Sequence, residues 1–180
     1  MATSLVFLDM RLTLSHPRHM IIRPYDPADL AALHIINQAG VPGVGDETLE
    51  TLGKWLSLHD ARVAEISGTP VGFINLLPPG TMDYTSANLR WLEDWGDDFI
   101  YVDRIAVSEA GRGQGTGVAL YAAAFHAYAG KMSWITCEVN LRPPNPGSLR
   151  FHNRLGFQEI GRRSYAGDSK EVVYLARALP

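Results

Sequence analysis

Four glycines in seven residues, Gly111, Gly113, Gly115 and Gly117, stand between an apolar run at 99–107 and an alanine-rich stretch that ends near 129. No other feature of the chain constrains its fold as much. The first segment is apolar on both faces and interrupted only by Asp103 and Arg104, so it reads as a central strand. The second, from about 115 to 129, reads as a helix. Glycines at such a junction let the main chain turn tightly and approach a ligand without Cβ clashes. The loop amides and the first amides of the helix together make an anion site. A phosphate or pyrophosphate is the natural guest, and a turn that holds no ligand is the plain alternative. A Walker loop would need Lys after its last glycine, and none is present. A Gly-x-Gly-x-x-Gly loop fails in every frame, because its last place is Thr116, Val118 or Leu120.

Around this junction the chain alternates strands and helices. Met20 to Pro24 reads as a strand. Asp26-Pro27 then opens a helix, with Asp26 at the cap and Pro27 at the first helical place. A second helix carries Leu49, Leu52 and Leu56. Strands at 61–66 and 71–77 form a hairpin. Residues 78–98 read as irregular, with one helical turn around Trp91. After the central strand and its helix come a strand at 134–139, a short helix at 146–155, and closing strands at 157–163 and 171–178. The 180 residues, with no internal repeat and no long polar linker, suit a single domain. Residues 1–19 fit this pattern poorly. They read as an extension the domain can dispense with, the alternative being one more packed strand. The apolar run at 5–8 lacks a preceding basic segment and a cleavage site, so it does not read as a signal peptide.

The loop Arg112-Gly113-Gln114-Gly115-Thr116-Gly117 resembles the Arg/Gln-x-x-Gly-x-Gly/Ala signature of the GNAT superfamily of acetyl-CoA-dependent N-acetyltransferases. A second segment, Asn145-Pro-Gly-Ser148-Leu-Arg-Phe-His152-Asn-Arg-Leu155-Gly156-Phe157, is similar to that superfamily's Asn-x-x-Ala-x-x-Phe-Tyr-x-x-Leu-Gly-Phe stretch. The longer phrase at 137–146 resembles one bacterial subgroup of uncharacterised predicted members. Over residues 20–178 the resemblance implies an α/β (α+β) domain. Its sheet would be mixed, mostly antiparallel, of six or seven strands, flanked by about four helices and splayed between strands 4 and 5. It implies acetyl-CoA as co-substrate. Pantetheine would lie in the splay against main-chain groups of Ile105, Ala106 and Val107, and pyrophosphate on the amides of 112–117. It implies transfer of acetyl to an amine by direct attack. The alternative from another class is an acyl-CoA sensor that kept the fold without turnover.

The second segment carries the candidate chemistry. Asn145 before Pro146 reads as a helix cap. Asn145, Ser148 and His152, at i, i+3 and i+7, form one polar stripe, which the resemblance turns toward the thioester. His152 stands where the superfamily has a tyrosine as general acid, and an imidazole of ordinary pKa near 6.5 is a competent donor. The alternative is a helical histidine of no special role. Glu138 on the preceding strand is a candidate base by similarity to ribosomal-protein alanine acetyltransferases, although Pro143-Pro144 lengthens its spacing to Asn145. Asp103 is the other candidate base. Its alternative is an ion pair with Arg104 or another arginine. Cys137 has no evident base beside it and reads as a buried strand residue.

Charge divides unevenly. The whole chain is at −3, which disfavours a nucleic-acid partner. Residues 78–98 hold five acids against Arg90, whereas 140–163 hold five arginines against Glu159. The basic half suits a polyanionic coenzyme. The acidic segment, with Tyr84, Trp91, Asp97 and Asp98, would suit a cationic amine acceptor, or else is a solvated loop. The longest strongly apolar stretch, 118–130, is too short to span a membrane. One cysteine excludes an internal disulfide and any multi-cysteine metal site, and places the chain in a reducing cytoplasm. No metal is expected, and a homodimer is compatible with these features.

Overall fold

The computed structural model describes residues 19–165 and 169–180. Apart from His19, the expected extension at 1–19 lies outside the described residues. β1 spans Met20–Pro24. Asp26 caps a short 3-10 turn at Pro27–Asp29 through a reciprocal capping box, and Asp29 also holds Arg23 at 2.7 Å. α1 (Leu30–Gln38) and α2 (Leu49–Leu58) follow. β2 (Asp60–Ile66) and β3 (Thr69–Leu77) form the hairpin. The Ser67 and Gly68 turn between them has positive φ at both residues, as a two-residue hairpin requires. Then come α3 (Ala87–Trp95), β4 (Phe99–Val107), α4 (Thr116–Tyr128), β5 (Trp134–Arg142), α5 (Pro146–Arg154), β6 (Gln158–Tyr165) and β7 (Lys170–Ala178).

The seven strands make one sheet in the order β1-β2-β3-β4-β5-β7-β6, antiparallel except for the β4–β5 pair. The expected fold class holds, with five helices among the described residues instead of about four. The correction is α3, in a segment expected to be irregular. Ser86 caps it by accepting from the Leu89 amide at 3.3 Å, and Leu89 and Leu92 bury completely. That stripe is narrow, and Arg90, Glu93 and Asp94 interrupt it, so its periodicity is faint in the sequence.

α4 and α5 cover one face of the sheet, and α1, α2 and α3 the other. β4 supplies both layers. Ile100 and Val102 pack with Leu120, Tyr121 and Ala124 of α4, while Phe99 and Tyr101 pack with Leu89 and Leu92 of α3. Two departures from a regular ladder then build the site. Asn75 pairs with Arg104 but Leu76 pairs with Val102, so Asp103 is an extra residue in β4. Such a bulge reverses which face later side chains take. Arg104 and Ala106 accordingly reach the α1–α2 side. The second departure is a fork. β4 and β5 are in register only from Phe99–Trp134 to Val102–Cys137, and beyond that point they part.

Candidate active site

The fork opens a cleft of about 620 Å³. Residues 102–107 of β4 form one wall, and Cys137, Glu138 and Asn140 of β5 form the other. The start of α4 and the polar stripe of α5 close it at the sides, and the loop at 40–45 lies over it. Asn140 ties that loop down by donating to the Pro42 carbonyl at 2.7 Å. Ile105, Ala106 and Val107 pair with β3 along one edge. Their other main-chain edge faces the opening.

The four glycines divide into two kinds. A Cβ on Gly111 would meet the Val71 carbonyl oxygen at 2.8 Å, and one on Gly117 would meet the Phe151 ring at 2.9 Å. Those two allow close packing. Gly113 and Gly115 instead have φ of 71° and 79° with open space around them. Gly115 is the N-cap of α4 and brings no side chain to cap it, so the first amides of the helix are left without intrahelical acceptors. The Thr116 hydroxyl turns inward to the Gly111 carbonyl at 2.8 Å. The Arg112 and Gln114 amides are spent on loop carbonyls. The amides left open to an anion are therefore those of Gly113, Gly115 and the first turn of α4, fewer than the whole of 112–117. Such donors would suit a pyrophosphate.

Asn145 caps α5 by accepting from the Ser148 amide at 3.1 Å. Asn145, Ser148 and His152 all line the cleft, as their spacing predicts. His152 is 3% exposed. Its Nδ1 lies 2.8 Å from the Ser148 carbonyl oxygen. That oxygen only accepts, so Nδ1 carries the ring proton. Nε2, 2.8 Å from the Tyr121 hydroxyl, is then the acceptor. Burial lowers the imidazole pKa further. The ring is neutral near pH 7, and its single N–H is committed to the helix.

Glu138 differs. Its carboxylate accepts from Asn88 Nδ2 at 2.8 Å and from the Tyr101 hydroxyl at 2.8 Å. Burial pushes the carboxyl up to about 7, against the pull of the Tyr101 hydrogen bond. Asp103, the other carboxylate expected as a base, is tied up. Arg104 Nε donates to it at 2.6 Å, and Tyr84 and Asn75 donate to it as well. Arg104 in turn holds Glu47 at 3.1 Å and Asn37 at 3.3 Å. The ion-pair alternative for Asp103 is the arrangement present. Burial also pushes the Cys137 thiol far up, which leaves no thiolate nucleophile near neutral pH.

A second cavity of about 440 Å³ lies behind this partition of carboxylates. Trp55, Tyr84 and Tyr165 give it aromatic walls, and Asn88 reaches from it to Glu138. Its charged lining residues are Glu47 and Lys170, one of each sign. Of the four residues expected on the acceptor side, Tyr84 alone lines either of these two cavities. Trp91 stacks on Tyr174 at 3.9 Å in the core. Asp97 and Asp98 sit at the foot of β4, the end opposite the fork, where Asp98 accepts from Ser133. None of the acids at 78–98 lines either cavity. Sequence reasoning missed Asn88, Tyr101, Tyr121 and Lys170, and it missed the loop over the cleft. The run Gly40, Gly43 and Gly45 was a visible signal for that loop. Among the described residues no group of three or more metal-binding side chains gathers, and no helix is long and apolar enough to cross a membrane.

The sequence model described as Acetyltransferase (GNAT) family matches residues 31–157. No curated protein matches the chain. Among similar solved structures is an N-acetyltransferase from Staphylococcus aureus Mu50, with TM-score 0.67 and 18% identity over 90% of this chain and 99% of that one. Another is a putative acetyltransferase from Salmonella typhimurium with its cofactor acetyl-CoA, with TM-score 0.67 and 19% identity over 90% and 95%. A third is the ribosomal-protein-S18-alanine N-acetyltransferase from Escherichia coli, with TM-score 0.67 and 17% identity over 89% and 94%. At such identities these structures share the fold.

Proposed function

This chain belongs to the Acetyltransferase (GNAT) family and is an acyltransferase of that kind; from this premise we propose that it transfers acetyl from acetyl-CoA to an amine by direct attack, with Glu138 as base. One observation carries the reading. The forked cleft runs from an anion cradle at Gly113–Gly115 to a carboxyl whose pKa lies near 7. A general base is most effective when its pKa lies near the working pH.

The residues present would hold the co-substrate along that line. The α4 amides would take the pyrophosphate, and the open edge at Ile105–Val107 would take the pantetheine amides. Acetyl-CoA supplies the activated acetyl group. A main-chain amide of β4 near Val107 polarises the thioester carbonyl. Glu138 takes a proton from the amine as its nitrogen bonds to the carbonyl carbon. The carbon–sulfur bond then breaks. As the thiol leaves, Glu138 would give up the proton it took from the amine, which returns the carboxylate to its starting state and leaves the product thiol neutral. His152 has no free N–H to give and serves to fix Tyr121 and the start of α5. The second cavity admits the acceptor. Its mixed lining no longer favours a cation over a neutral or zwitterionic amine.

Thiol release from acetyl-CoA, followed across a panel of primary amines, tests the reading. Turnover with at least one amine, lost in Glu138→Gln, is expected. Tight acetyl-CoA binding without acetylation of any amine would instead make the chain an acyl-CoA sensor.

A further inference from the structure

The acceptor cavity and the base meet through one side chain, Asn88, on the second residue of α3. Its Oδ1 accepts from the Tyr174 hydroxyl at 3.0 Å and from the Tyr165 hydroxyl. Those two hydroxyls lie 3.1 Å apart. With its oxygen held by two donors, the amide has one orientation, and Nδ2 must point at Glu138 Oε1, 2.8 Å away. Asn88 also lines the second cavity. Tyr101 fixes the other carboxylate oxygen from β4. Both oxygens of Glu138 thus receive a hydrogen bond, and the carboxylate plane is set from two sides.

We infer that Asn88 is a positioning residue for this reaction: locked by Tyr165 and Tyr174 at the wall of the acceptor cavity, it aims the Glu138 carboxylate in the adjoining cleft and stabilises its ionised form. The inference rests on the reading of Glu138 as base. Hydrogen bonds to a charged acceptor favour the charged form, so they oppose the effect of burial at this site. The other groups that act on Glu138 are Tyr101 and Asp103 of β4, Tyr121 of α4 and Tyr174 of β7, with Cys137 beside it on β5. Asp103 disfavours the carboxylate, and its charge is balanced by Arg104. Asn88 and Tyr101 donate to it directly. Loss of the Asn88 donor therefore makes Glu138 harder to ionise.

The test is the pH dependence of kcat/KM in the full-length enzyme, with acetyl-CoA and an amine that it acetylates. Wild type should lose activity on the acid side of a limb near pH 7, and Glu138→Gln should lack that limb. Asn88→Ala should move the limb to higher pH by about half to one unit, since a one-unit move is tenfold in rate well below the limb. That is a loss of roughly 3–10-fold at pH 6 and less than about twofold at pH 9. Tyr174→Phe removes only the hydroxyl that orients Asn88, touches neither cavity, and should move the limb the same way by less. It stands in if Asn88→Ala does not fold. A rate lowered equally at every pH, or a limb unmoved in both variants, overturns the inference while leaving Glu138 as base. A limb that persists in Glu138→Gln overturns the base reading and this inference with it.

Discussion

Replacing Glu138 with Gln should make the protein more stable at alkaline pH while removing its activity. In the fold the Glu138 carboxyl is raised from 4.5 to about 7, chiefly by burial. A carboxyl raised on folding contributes stability that is full below its unfolded pKa and is lost as pH rises through the folded one. Here that window runs from about pH 4.5 to about 7. At 1.36 kcal/mol per pH unit, the charged carboxylate costs the fold about 3 kcal/mol above this window. A glutamine avoids that cost. Its amide oxygen accepts from Asn88, and its NH₂ donates to the Tyr101 hydroxyl oxygen, so the one loss is the acceptor of the Tyr101 proton, worth less than the cost of the buried charge. Urea unfolding of both proteins at pH 5 and pH 8.5 reads the difference. The variant should be more stable than wild type at pH 8.5, and its advantage should shrink by roughly 2–3 kcal/mol at pH 5. Its kcat should fall by about 10²–10⁴-fold, the usual worth of a general base. An advantage that is absent at pH 8.5, or equal at both pH values, would show that the carboxyl is not held against its charge.

Gln114→Glu sets a carboxylate beside the anion cradle at an exposed position of ordinary φ. Calorimetry should show acetyl-CoA binding weakened severalfold, and unchanged affinity would remove the cradle from the coenzyme site. His152→Phe strips the Tyr121 hydroxyl of its partner and should cost about 1–3 kcal/mol in unfolding experiments. Its kcat should stay within about threefold of wild type, and a fall of about 10²-fold would restore His152 as the general acid. Arg104→Met leaves Asp103 and Glu47 without their shared cation and should cost about 3–5 kcal/mol in the same assay. A chain that begins at Met20 should fold and keep its acetyl-CoA affinity. A much lower melting temperature would place residues 1–19 in the core.

The strand and helix order was legible because most elements here obey one period. Val63, Phe73 and Leu77 bury on strands, and Leu33, Leu52 and Leu56 bury on helices of ordinary pattern. The cleft-lining glycine loop and helix stripe were legible because each is contiguous in sequence. The second cavity was not, because it is assembled from distant segments. Asn88 matters only through Tyr165 and Tyr174, more than 75 residues along the chain. The charge count on 78–98 lacked geometry for the same reason. Charge was summed along a segment that turns half its length into α3, and Asp97 and Asp98 end at the wrong end of β4. The bulge at Asp103 was equally hidden. It is a count of residues against β3, and one strand read alone cannot reveal it.

Mechanically, the sheet is two panels joined by a short seam. β1 to β4 form one and β5, β7 and β6 the other, and among the described residues the register pairs between them are the four from Phe99–Trp134 to Val102–Cys137. Beyond the seam, the main-chain groups on the edge of β4 that faces away from β3 are donors and acceptors with no strand to answer them. A ligand lying there does what a missing strand would do, zipping the panels together along the open half. Those amide hydrogens at 104–107 that face the cleft, not the ones paired with β3, should therefore exchange far more slowly once the cleft is filled, while those at 99–102 barely change. A ligand in the cleft would thus complete the sheet.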